Sequence, residues 1–226
     1  MCLIQIGAGS ANFDAYVQDG FSNFIRKKKT EKKIYIVEAN SIHLKNLKKF
    51  YESDNNVKIF NLAIIPDNID LKEMDFFYCL EDAPNYQIFS NSKLFVKKHF
   101  PHGTIKKTTI NCLGISDFFE KNDIKNVEYL SIDIEGMDYE VLLNLQLNRF
   151  KIKNISFEHI HLDFWKKIKI VFKLTKNGYY FSGMGFDVRK SDWMFTKGYK
   201  LKKITTFLLP ITPRRIWKKY KFSNWI

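Results

Sequence analysis

The sequence is poor in the residues that would staple or segment a chain. Its 226 residues include three cysteines, five prolines and ten glycines. Cys2, Cys79 and Cys112 are far apart and odd in number. They fall in no C-x-x-C or Cys/His zinc spacing, which argues against a disulfide framework or a structural metal. No apolar run approaches the roughly 20 residues that span a bilayer. The opening MCLIQIGAG has neither a basic n-region nor a long apolar core, so it reads as a strand and not as a secretory signal. No internal repeat and no Gly/Ser-rich linker divides the chain, and its length suits one domain. A reducing, cytoplasmic setting is the expectation from these absences.

Acids are scarce beside bases. Lys and Arg number 37 against 24 Asp and Glu, a formal net charge of +13. Arg26 to Lys33 holds six basic residues and one acid, and Lys197 to the end holds nine and none. The simplest reading is a solvated face and a basic tail. Sharper readings are an anionic membrane surface, an acidic glycan or a nucleic acid. The tail RRIWKKYKFSNWI (214–226) interleaves basic and aromatic residues, a mixture suited to peripheral membrane contact.

What is abundant is apolar: 45% hydrophobic and 16% aromatic residues, enough for a sizeable core. Short β-rich runs alternate with helical patterns. The runs are CLIQIGAG (2–9), KIYIVEA (33–39), VKIFNLAI (57–64), MDFFYCL (74–80), TTINCLG (108–114), VEYLSIDIEG (127–136), KNISFEHI (153–160), GYYFSGM (178–184) and DWMFTKG (192–198). Helices are expected over about 14–29, behind Ser41 as N-cap, over 92–100, over ISDFFEKN with Ser116 as its cap, and over 138–147 and 164–177. Such alternation predicts βαβ units, a mostly parallel sheet and an α/β fold. Residues 67–107 read as a long irregular insertion of the kind that serves as a functional loop.

Four segments carry chemistry. In IQIGAG (4–9), a strand delivers Gly7 and Gly9 to a turn where backbone can approach a ligand. A dinucleotide fingerprint would place a third glycine at position 12, where Asn12 stands. Glu38 ends the next strand, where an acid can accept both ribose hydroxyls of an adenosine-containing ligand. In LSIDIEG (130–136), Ser131, Asp133 and Glu135 alternate with apolar residues, which predicts that the acids share one side of a strand. In ISFEHIHLD (155–163), Glu158 and His159 end the following strand. Histidine suits proton transfer near neutral pH, although a histidine satisfied in the core is the commoner case.

Taken together these segments resemble the FkbM-type methyltransferases, a branch of the class I S-adenosylmethionine-dependent enzymes. The resemblance covers about residues 3–197 through IQIGAG, IVEANSIHLKNLKKFY, NLAI, QIFSNS, TTINCLGISDFF, LSIDIEGMDYEVLLNL and ISFEH, with LSIDIEG the most specific. It implies a Rossmann-like fold with a seven-stranded, mostly parallel sheet carrying one antiparallel strand, in a domain over residues 1–210 followed by the tail 211–226. It also implies methyl transfer from S-adenosylmethionine to an oxygen, most often a hydroxyl of a sugar, glycan or related metabolite. By position, Gly7 and Gly9 match the cofactor loop, Glu38 the ribose acid, and Asn61 to Ala63 the region near the adenine. Asp133 and Glu135 match the signature acids and Glu158 the acid of the next strand.

Asp133 is the first candidate for general base, followed by Glu158 and His159. A divalent ion held by Asp133, Glu135 and Glu158 is an open alternative. The chain departs from similar proteins in having Ala11 and Asn12 where a further glycine is common, and Ala39 where a proline is. Two rival readings stand: a nicotinamide-dependent oxidoreductase, and a non-catalytic protein that kept the fold. The 29 residues from Gly9 to Glu38 exceed the roughly 20 of the nicotinamide fingerprint. Nucleic acid is not the expected partner.

Overall fold

The runs CLIQI and IYIVE are buried at every position. Strands buried on both faces belong at the centre of a parallel sheet covered by helices on each side, and the fold follows from that. The structure is a computed structural model that describes residues 1–11, 19–28, 30–84, 86–134, 136–186 and 191–198. Asn12, Glu135, the tail 211–226 and most of the first half of the helix expected from residue 14 lie outside the described residues.

The strands are β1 (Cys2–Ile6), β2 (Ile34–Glu38), β3 (Val57–Asn61), β4 (Ala63–Ile65), β5 (Glu73–Cys79), β6 (Ile105–Gly114), β7 (Asn126–Ile132), β8 (Lys151–Glu158), β9 (Tyr179–Met184) and β10 (Asp192–Lys197). The helices are α1 (Gly20–Lys28), α2 (Leu44–Phe50), α3 (Lys93–His99), α4 (Ile115–Lys121), α5 (Asp138–Asn144) and α6 (Phe164–Lys176). Seven strands form one sheet in the order β3-β2-β1-β7-β8-β10-β9, parallel except for β10, which runs against both neighbours. This is the seven-stranded α/β architecture expected from the sequence.

Strand alternation sorts the core into two layers. Ile4, Ile6, Tyr35, Val37, Leu130 and Ile132 face α4, α5 and α6, meeting Phe118, Val141, Leu142, Ile170 and Val171. Leu3, Ile34, Ile36 and Tyr129 face the other way onto Phe21, Ile25 and Leu47 of α1 and α2. A one-residue slip of any central strand would exchange the two sets, so burial on both sides fixes the register.

Four local expectations are corrected. VKIFNLAI is not one strand. The Asn61 amide donates to the carbonyls of Glu38 and Ala39, and Leu62 N–H donates to Glu38 O, after which the chain leaves for a second sheet. There β4 pairs in parallel with β6, which pairs antiparallel with β5. The stretch 67–107 thereby supplies β5, α3 and part of β6 to a wall beside the main sheet.

LSIDIEG, secondly, is strand only to Ile132. Asp133 N–H still reaches Ile6 O, but Ile134 N–H turns to the Asp138 carboxylate, 3.0 Å away, and ladder pairing stops. The helix behind Ser41 is entered, thirdly, through a 3₁₀ turn (Ser41–His43) capped by Asn40, whose side chain accepts from Ile42 N–H. Ser116, lastly, is no cap. It lies inside α4, where the Asp67 carboxylate accepts its N–H and its hydroxyl.

Candidate active site

Strand order reverses at β1: β2 lies on one side and β7 on the other. In open α/β sheets the crevice beyond the carboxyl ends at such a switch point is where ligands bind. A cleft of about 460 Å³ lies there. Its floor is Gly7, Gly9 and Ser10 after β1, Glu38 and Ala39 after β2, and Asp133 and Ile134 after β7. The wall comes from Leu62, Ala63 and Ile64, with Phe76, Pro84, Gln87 and Phe89 of the 67–107 stretch. Phe76 and Phe89 stack with ring centroids 5.0 Å apart.

Gly7 sits where two strand ends touch. Its φ is +79°, and a Cβ built there would lie 1.6 Å from the Asp133 carbonyl oxygen. No side chain fits that conformation and that gap together. The contact lets Gly7 N–H reach Val37 O while Asp133 N–H reaches Ile6 O. Gly9, at φ +54°, is different: a Cβ there meets no atom within 4 Å, so its backbone borders open space.

Glu38 is buried at the base of the cleft. One carboxylate oxygen accepts from Gly9 N–H and the other from Asn40 N–H, each at 2.7 Å. Burial pushes its pKa above the usual carboxylate range, against the pull of His43 and of the surrounding backbone N–H groups. A carboxylate has about four lone-pair sites, so acceptor capacity remains toward the cleft.

His43, which the sequence reading did not single out, braces this corner. Its Nδ1 is 2.5 Å from the Ser10 hydroxyl and its Nε2 is 3.2 Å from Tyr86 O. The carbonyl can only accept, so Nε2 carries a proton. In the neutral ring Nδ1 then accepts from Ser10. The Asn40 amide donates to the same carbonyl at 3.3 Å. The glycine turn, the end of β2 and the aromatic wall are thus tied through one imidazole. The only sequence signal for this was a histidine five residues after the strand-end acid.

Asp133 is exposed and lines the cleft. Asp138, also missed by the sequence reading, is buried behind it and shapes the turn through Ile134 N–H. Burial first of all raises its pKa, to about 6.

The sequence candidates therefore divide. Gly7, Gly9, Glu38, Ala63 and Asp133 line one cleft. Asn61 does not line it, and its amide is spent on the backbone of residues 38 and 39. Glu158 and His159 fall outside the lining. Glu158 is one residue beyond the last β7–β8 pair, Ile132 with Phe157, and stands 3.6 Å from His161 Nε2. His159 is buried against Trp193, the rings stacked at 4.3 Å. Among the described residues no group of three or more His, Cys, Asp or Glu could hold a metal ion. Glu135, one of the three ligands considered, lies outside them.

Residues 5–199 match the methyltransferase FkbM domain. The chain belongs to the FkbM methyltransferase family. It is an S-adenosylmethionine-dependent methyltransferase, and the nicotinamide-dependent and non-catalytic readings give way to that assignment. Solved structures with similar folds include M. capricolum TrmK bound to S-adenosyl-homocysteine (12% identity, TM-score 0.46, covering 91% of this chain and 67% of that one). The METTL16 methyltransferase domain is 11% identical with a TM-score of 0.44, over 88% of this chain and 61% of that one. Precorrin-6y C5,15-methyltransferase from Geobacter metallireducens GS-15 is 14% identical with a TM-score of 0.40, over 87% and 78%. This chain thus spans about three fifths of the METTL16 domain. Likenesses this distant carry no argument about substrate. No curated protein matches the sequence. No helix among the described residues is long and apolar enough to cross a membrane.

Proposed function

We propose that the methyltransferase acts on oxygen, methylating a hydroxyl of a sugar, glycan or related metabolite. The observation that carries this reading is the cleft itself, lined by a buried acid, Glu38, and an exposed acid, Asp133. Its residues fit S-adenosylmethionine. Glu38 offers acceptors to the ribose diol, and Leu62, Ala63 and Ile64 offer an apolar shelf to the adenine. The open backbone at Gly9 leaves room for the rest of the molecule. When bound, the cofactor supplies an electrophilic methyl group on a sulfonium.

A sugar hydroxyl is too weak an acid to lose its proton unaided at neutral pH. Asp133 fills the role of general base because it is an exposed acid of the cleft lining, whereas Glu158 and His159 do not line it. It accepts the hydroxyl proton at a carboxylate oxygen as the acceptor attacks. Phe76, Phe89 and Gln87 give the acceptor an aromatic face and a polar group to lie against. Most of the remaining rate comes from holding the acceptor in line.

The test is transfer of labelled methyl from S-adenosylmethionine to a panel of glycans, RNAs and small amines, with product fragmentation to locate the methyl group. Label on a glycan oxygen is the expected result. Label confined to nitrogen, or to RNA, would sink the oxygen-and-sugar reading while leaving the family assignment intact.

A further inference from the structure

Ten large hydrophobic side chains are exposed among the described residues; three of them lie in or just after the turn that follows β8, and a fourth lies on the helix packed against it. Ile160 (49% exposed) lies in that turn, and Phe164 (55%) and Trp165 (70%) open α6. Leu94 (79%) lies on α3. The two elements are neighbours: Phe95 meets His161 edge-on with centroids 5.8 Å apart, and Lys98 and His99 act electrostatically on His161. Leu94 shares its helix face with the exposed Lys97 and Lys98, three and four residues on.

This rim stands at the cleft-bearing end of the sheet. β8 ends beside β7, whose end carries Asp133. Phe89 of the cleft wall leads through Ser90 and Asn91 to Ser92, the cap of α3.

Two acids lie close to the rim and keep their charges, fewer than the lysines of α3 and of the first turns of α6. Asp163 caps α6 by accepting Lys166 N–H, and Glu158 faces His161. The rim presents aliphatic and aromatic side chains beside the exposed Lys97 and Lys98, on a chain of net charge +13. We propose that it is a docking surface for an anionic lipid bilayer, with Leu94, Ile160, Phe164 and Trp165 entering the headgroup boundary and Lys97 and Lys98 meeting lipid phosphates and carboxylates. Two observations favour lipid over other partners. Leu94 and Ile160 have no ring on which a base could stack, yet gain fully from apolar burial. Like charges on the rim oppose pairing with a second copy of the chain.

The experiment is flotation of the full chain with vesicles of phosphatidylcholine alone or mixed with phosphatidylserine. Wild type should float with the mixed vesicles only. Combined Leu94→Ser, Ile160→Ser, Phe164→Ser and Trp165→Ser should lower the partition coefficient about tenfold or more. Replacement of Lys97 and Lys98 by Gln should cost about fivefold per lysine. Both variants should keep wild-type melting and S-adenosylhomocysteine binding, because none of these residues lines the cleft. The proposal is overturned if wild type does not float, or if the rim variants float as well as wild type. It is equally overturned if flotation is lost only on deleting residues 211–226. Retention of single-stranded RNA through the same residues, without flotation, would give the rim to nucleic acid instead.

Discussion

The two turns that flank β1 at the floor of the cleft are each built around one buried carboxylate, and the two carboxylates do different work. After β2, Glu38 holds Gly9 and Asn40 N–H and also lines the cleft, so scaffold and ligand site are one side chain. After β7 the tasks are separate. Asp138 holds Ile134 N–H from a buried position outside the lining, and Asp133 lines the cleft. An acid that must keep lone pairs for a ligand can sit buried if backbone N–H groups offset its desolvation. An acid that must exchange a proton with an acceptor is better placed at the cleft surface, with its turn held by another group.

That contrast can be broken in four ways. Gly7→Ala strikes the contact joining both turns and should act most strongly, since left-handed backbone and overlap with Asp133 O combine. A loss of about 3 kcal/mol or more is expected in denaturant unfolding. Near-normal stability would mean that the two strand ends separate at little cost.

Asp133→Asn comes next. The carboxylate gives way to an amide that cannot take a proton, so turnover should fall roughly 10²- to 10⁴-fold. S-adenosylhomocysteine affinity, measured by calorimetry, should stay within about threefold of wild type, on the order of half a kcal/mol. Equal loss of binding and turnover would make Asp133 a cofactor residue and erase the contrast.

Glu38→Gln should show the reverse pattern. S-adenosylhomocysteine binding should weaken about 10- to 100-fold, as one or two charge-assisted hydrogen bonds are lost. Retained affinity would move the ribose site elsewhere.

An effect of similar size, spread over pH, belongs to Asp138. Its folded pKa of about 6 lies above its ordinary 3.8, so the folded state holds a proton that the unfolded chain releases first. Its contribution to stability is complete below pH 3.8 and is lost as pH rises to about 6. Asp138→Asn keeps an oxygen for Ile134 N–H and removes the titration. The variant should lose a slope worth about 1–3 kcal/mol over that interval, read from unfolding midpoints against pH. An unchanged slope would place the titrating group elsewhere, Glu38 being the first alternative.

The candidate site was only partly legible in the sequence, and particular residues show why. Gly7, Gly9 and Glu38 were readable because each marks a strand end, and strand ends in a parallel sheet converge by topology. The alternation of Ser131, Asp133 and Glu135 predicts one side of a strand, but the strand stops at Ile132: Asp133 N–H still reaches Ile6 O, and Asp138 takes the N–H of Ile134. Alternation cannot reveal a side chain from four residues ahead that takes Ile134 N–H out of the ladder. His43 was overlooked for a similar reason. Its partners, Ser10 and Tyr86, are 33 and 43 residues away, a separation that carries no local pattern.

By itself the sequence determined the plan of the main sheet: most of the runs that form its strands, that it is mostly parallel, and which acids and glycines stand near its carboxyl edge. Those follow from periodicity and from the conformations that glycine permits, both local properties of the chain. Tertiary structure alone decided which of these residues share a cleft. It placed Asn61 on the backbone, His159 on Trp193 and Asp133 in the lining, and it folded residues 67–107 into the aromatic wall opposite. Those outcomes rest on long-range contacts and on where each buried polar group finds its partner.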